Sequence, residues 1–152
     1  MRIKIGDVFQ IETSKGLAFF QYVLKHDSMG SLIRILPNLH KDNNTDKINE
    51  LVEQKELFFI HFPVGAALRR KIVCKVGNFQ IPNGLVLPTK FRDKHIVRSE
   101  FISWHIVDYE TYQIESVKKL TDEQLKLSPM GTWNDTLLIE RLEEGWTLDK
   151  WI

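Results

Sequence analysis

The sequence predicts an α+β fold: a bent antiparallel sheet, or a small SH3-like barrel, with short helices in the middle and at the C-terminus. Three observations carry this. Phe9 and Ile11 alternate with Gln10 and Glu12 at the period of a half-buried strand. Two further apolar segments follow across short turns. Later segments carry the start signals of helices.

The run Lys4-Ile5-Gly6-Asp7-Val8-Phe9-Gln10-Ile11 reads as a Gly-Asp corner followed by a strand. Ser14-Lys15-Gly16 turns the chain into a second strand over residues 17–24. Phe20, Tyr22 and Leu24 share one face of it, and Phe19, Gln21 and Val23 the other. Both faces are therefore largely apolar, a pattern that barrel closure would explain. Asp27-Ser28-Met29-Gly30 leads into a third strand over 32–36 around Arg34, which Pro37 ends. Three consecutive strands with short turns make a meander.

Residues 40–46 form a polar loop, and Ile48, Leu51 and Val52 then recur at helical spacing, predicting a helix over about 46–55. Residues 57–62 and 72–76 read as strands, the second containing Cys74 as a buried thiol. Gly77, Pro82, Asn83, Gly84 and Pro88 punctuate a loop-rich middle. A strand over 101–107 places Ile102, Trp104 and Ile106 on one face, and 112–117 is positioned to pair with it. Thr121-Asp122-Glu123-Gln124 is a capping box, with Leu120 and Leu125 as its hydrophobic staple. Ser128-Pro129 keeps that helix short. A second helix starts near Asn134 or Asp135, carries Leu138, Ile139 and Leu142, and stops at Gly145. Trp146 and Trp151 are expected to fold back onto the body. No linker divides residues 1–152, so a single domain is expected.

The N-terminal residues lack the apolar core of a signal peptide. No stretch reaches the roughly 20 apolar residues that span a bilayer. One cysteine permits neither an internal disulfide nor a cysteine-based zinc site. The expected setting is cytoplasmic, with no membrane partner. A net charge of +1 gives no global field, but it hides a gradient. Residues 61–105 hold eight Lys and Arg against Asp93 and Glu100; residues 106–152 hold ten Asp and Glu against five Lys and Arg.

Motifs for catalysis are missing. His26, His40, His61, His95 and His105 show no metal-ligand spacing, although a fold could still bring some together. There is no nucleophile elbow and no glycine-rich phosphate loop. Glu143-Glu144 and Asp122-Glu123 are adjacent on helical segments and so diverge. The expectation is a protein that is not an enzyme and uses no cofactor and no metal. Arg69, Arg70, Lys71 and Arg92, interleaved with Phe79 and Phe91, form a candidate anion-binding set of the kind used on single-stranded nucleic acid. The acidic C-terminal third opposes a polyanion, so nucleic acid is a minor alternative.

The run Ile5–Ile11, with the aromatic second strand Ala18-Phe19-Phe20-Gln21-Tyr22-Val23, resembles the start of the Immunity protein 26 family. Segments 62–70, 76–82, 88–92, 104–108, 120–124 and 138–142 resemble its later elements in the same order. The resemblance implies a bacterial immunity protein of a polymorphic toxin system, an antitoxin that blocks its cognate toxin by occluding the active site. A basic nuclease is one toxin that would suit an acidic contact face. Asp108, Glu110, Asp122, Glu123, Glu140, Glu143 and Glu144 are the candidate partner-binding residues, with Trp133 as an exposed anchor. A phosphotriesterase label also travels with the family. That small metal-assisted hydrolase is the alternative, and it would need His61, His95 or His105 together in a cleft.

Overall fold

The computed structural model describes residues 2–152. Its first sheet holds β1 (Asp7–Thr13), β2 (Gly16–His26), β3 (Gly30–Ile35), β4 (Phe58–His61) and β5 (Val73–Asn78), in the order β4-β3-β2-β1-β5. The second holds β6 (Lys90–Val97), β7 (Glu100–Asp108) and β8 (Ile114–Val117), in sequence order. Every named strand pair is antiparallel. The α+β class and the opening meander are as the sequence predicts.

The barrel alternative is corrected: β4 and β5 are the two edges of the first sheet and do not pair. The doubly apolar β2 has another cause. On one face Phe19 packs with Val8 and with Ile48, Leu51 and Val52 of α1 (Thr45–Val52). On the other, Phe20 and Tyr22 pack with Phe9, Ile33, Phe58 and Leu138 of α3 (Asp135–Glu143). Helices cover both faces, so no closure is needed.

Helix α1 begins where the Asn44 side chain accepts from the Asp46 amide. Its last carbonyl meets Arg34, which is almost fully buried on β3. Arg34 also donates to Gln21 Oε1 (2.8 Å), the Gln54 carbonyl (3.1 Å) and Glu56 (3.5 Å). Gln21 Nε2 in turn donates to the carbonyls of Gly6 and Phe79. A buried guanidinium is stable only when its donors are satisfied, and here they fix a helix end and a turn to the sheet.

Two elements were not signalled by the sequence. Helix α2 (Val64–Arg69) is too short for its periodicity to register. Strand β6 shows no clear period-2 pattern because charges interrupt it: only Phe91 and Arg92 are buried. Cys74 is a correction, being exposed on the edge strand β5.

The C-terminal third follows its signals closely. The Thr121 hydroxyl accepts from the Gln124 amide (3.1 Å), and the Gln124 side chain accepts from the Thr121 amide (3.0 Å). The box opens only a 3-10 turn at Gln124–Lys126. Asn134 caps α3 by accepting from the Leu137 amide (2.8 Å). Gly145 ends that helix at φ +66°, with the Trp146 amide donating to the Arg141 carbonyl (3.0 Å).

Residues 128–133 join the two sheets. The Arg92 amide donates to the Ser128 carbonyl (3.0 Å) and the Met130 amide to the Arg92 carbonyl (2.8 Å). The Phe59 amide donates to Ser128 Oγ (3.0 Å), and the Trp133 amide to the His61 carbonyl (3.0 Å). One segment thus occupies the free edges of both β4 and β6, the usual liability of an open sheet.

Candidate functional site

The free end of the second sheet is the most unusual surface. Strands β6 and β7 pair from Lys90↔Asp108 out to Val97↔Glu100, and the pairing steps from His95↔Ser103 to Ile96↔Phe101, leaving Ile102 unpaired. Arg98 and Ser99 turn the hairpin with φ of 52° and 67°. A two-residue turn with both φ values positive matches strand twist but favours Asn-Gly; an Arg-Ser pair carries strain there. Beside it Ile96, Val97, Phe101 and Ile102 are 53%, 45%, 47% and 37% exposed. Tyr112 and Ile114 are exposed too, but at the opposite end of the sheet, where Ile114 pairs with Val107.

This end is rigidly backed. The Phe101 ring meets Trp104 at 5.9 Å, and Trp104 meets Trp151 edge-on at 5.0 Å. The Arg92 guanidinium lies over both indoles, 4.8 and 4.6 Å from their centroids. Lys94 reaches over Trp104 (5.3 Å), and Lys118 Nζ donates to the Ile102 carbonyl (2.7 Å).

Arg92 is a correction to the anion-binding set. It is fully buried, and donates to the carbonyls of Leu127 (3.0 Å), Leu125 (3.1 Å), Leu148 (2.7 Å) and Trp151 (2.5 Å). Burial lowers its pKa to about 10. Arg69, Arg70 and Lys71 are exposed at the end of α2, without it. Together Arg34 and Arg92 pin the walls of a groove of about 1320 Å³, formed by residues 53–59, 82–90, 125–128 and 147–149.

The histidines divide into two groups. His95 and His105 stack at 4.6 Å on the second sheet. His61 lies elsewhere, fully buried, with Nε2 2.6 Å from Tyr109 Oη and Nδ1 without a partner. Burial, then nearby His26, lowers its pKa to about 4, against the opposing effect of the Gly131 backbone. Burial likewise raises Tyr109 to about 12. His26 stacks on Tyr109 at 4.5 Å. Its Nδ1 accepts from the Ser28 and Met29 amides, so Nε2 carries the proton and donates to Tyr112 Oη (3.1 Å). Among the described residues no three His, Cys, Asp or Glu side chains gather as metal ligands.

The candidate acidic residues lie on separate elements. Asp108 accepts from the amides of Glu110 and Thr111 (2.9 Å each), which lowers its pKa and closes the β7–β8 turn. Glu123 pairs with Lys126 (3.3 Å) and Glu144 with Arg141 (2.8 Å). Glu143 accepts from the Ser14 amide (2.6 Å), tying α3 to the β1–β2 turn. Asp122 lines the groove, and Glu110 and Glu140 are exposed. Trp133 is corrected from an exposed anchor: it is partly buried, packed on Phe58 (5.5 Å) and Trp146 (5.4 Å). The sequence does not announce this hairpin, because β6 lacks a strand pattern; the one trace of it is the apolar pair Ile96-Val97 set against Phe101-Ile102 across Arg98-Ser99.

The fold and this surface define a two-sheet α+β protein with an apolar, rigidly backed hairpin. No family model, curated protein or solved structure matches the chain.

Proposed function

We propose that this protein binds and neutralises a partner protein, as an immunity protein does its cognate toxin, with occlusion of the toxin's active site as the mechanism. The observation that carries the reading is the clustering of exposed apolar side chains at the end of the second sheet. Four of the ten large exposed hydrophobic residues among the described residues, Ile96, Val97, Phe101 and Ile102, lie together at that hairpin end. Contiguous apolar surface of this kind is a mark of protein contacts, and rigid backing lowers the entropy lost on binding. The ordered resemblance to the Immunity protein 26 family supplies the toxin as the class of partner. A cytoplasmic setting and the absence of enzymatic turnover belong to the same reading. No helix is long and apolar enough to cross a membrane among the described residues.

The test is capture from the native bacterial host with this protein as bait. The expected result is one toxin-like domain, lethal when expressed alone and harmless when co-expressed. A captured partner that is harmless alone refutes the immunity reading.

A further inference from the structure

We propose that the β6–β7 hairpin is a wedge that enters a carboxylate-rimmed, apolar-floored cleft on the partner protein. This rests on the binding reading above and names the contact.

The tip offers Ile96 and Phe101 paired across the hairpin, with Val97 and Ile102 beside them, all exposed. Around them stand Lys94, Arg98 and Lys118, none in a salt bridge among the described residues. Glu100 is the only carboxylate between residues 94 and 104. An apolar tip with uncompensated cations is complementary to an apolar floor with an acidic rim.

Three features select a folded protein as occupant. Lys118 is held by the Ile102 carbonyl, and Lys94 lies over Trp104 and reaches the Ile152 carbonyl (3.4 Å). Fixed cations suit carboxylates at fixed positions; a fluid lipid surface gains nothing from such fixing. A second copy meeting this tip about a two-fold axis would set like charges against each other. The left-handed Arg98-Ser99 pair holds the tip in a strained turn, a cost retained most often where geometry serves contact.

The experiment places a photo-cross-linking phenylalanine analogue at position 101, at 97 and, as a control on β1, at exposed position 12 of the full chain in the native host. The expected result is one protein cross-linked from 101 and 97 but not from 12, through a segment containing Asp or Glu. The purified pair should lose at least 100-fold in affinity with Phe101→Asp, and at least tenfold with Arg98→Glu plus Lys118→Glu. Circular dichroism and thermal midpoints establish that each variant folds. A partner cross-linked only from 12, or affinity unchanged in folded Phe101→Asp, overturns the wedge and leaves the binding reading standing. Cross-links to a second copy, or flotation with phosphatidylserine vesicles lost on Phe101→Asp, overturn it in favour of those occupants. No cross-link from any position overturns both. A confirmed wedge on a partner that is not lethal sinks the immunity reading alone.

Discussion

His61 and Tyr109 are joined by a 2.6 Å hydrogen bond that links the edge strand β4 to the chain just past β7. The two sheets therefore meet through a neutral imidazole with no water-facing side. In the unfolded chain His61 titrates near its ordinary 6.5, and in the folded protein near 4. The unfolded chain takes up the proton first as pH falls. Stability is thus fully present above about 6.5 and is lost progressively down to about 4, by up to about 3 kcal/mol. Urea unfolding at pH 7.5, 6, 5 and 4.5 should show this decline, and His61→Gln should flatten it. An equally steep decline in that variant would place the acid sensitivity elsewhere.

Among the described residues Arg92 has no carboxylate partner, yet four carbonyls depend on it. Arg92→Met keeps much of the apolar stem but leaves those acceptors without their donors. A loss of about 3 kcal/mol or more is expected. Indole fluorescence would report it directly, because Trp104 and Trp151 both flank the guanidinium.

Gly6 sits at φ +96°, and a Cβ there would stand 2.8 Å from the Phe79 carbonyl oxygen. That carbonyl also accepts from Gln21, so it is held in place. Gly6→Ala should destabilise by about 1–3 kcal/mol through backbone strain. A change within a few tenths in guanidinium unfolding would show that the corner relaxes freely.

Ser99 pays a conformational cost that glycine would not. Ser99→Gly should stabilise the isolated protein by about 1 kcal/mol, since the native φ of 67° is far easier for glycine. Chemical unfolding checks the sign. A destabilised variant would mean that the serine makes a compensating contact.

Reversing charges on α3 with Glu140→Lys and Glu144→Lys should change partner association by less than threefold. The contact argued above lies on the second sheet, and Glu144 is already paired with Arg141. Stopped-flow association at two salt concentrations decides this. A strong slowing would return the contact to the acidic residues.

The meander, the period of α1, the cap of α3 and the Gly145 stop were legible because each is local: hydrophobic period, a capping side chain, a left-handed glycine. Strand β6 was not, because its fitness as a strand comes from β7 and residues 128–130, which pair with it from afar. Arg92 looked like a surface cation for the same reason. Its acceptors lie 33 or more residues away, and nothing in Phe91-Arg92-Asp93 announces them. The acidic residues were legible as a block of sequence but not as a surface, since α3 packs beside β1 while Asp108 and Glu110 turn β7 into β8. His61 and His26 come together only through strands that sequence spacing cannot align.

The segment 128–133 has a consequence for synthesis. As the chain leaves the ribosome, β4 and β6 emerge long before the residues that occupy their edges. Through that interval two unpaired strand edges stand open, and Arg92 has none of its four acceptors, the last of which is Trp151. The second sheet is therefore locked by the final stretch of this sequence, not at its own appearance. Nascent chains halted before residue 125 should be the species that chaperones hold and proteases cut.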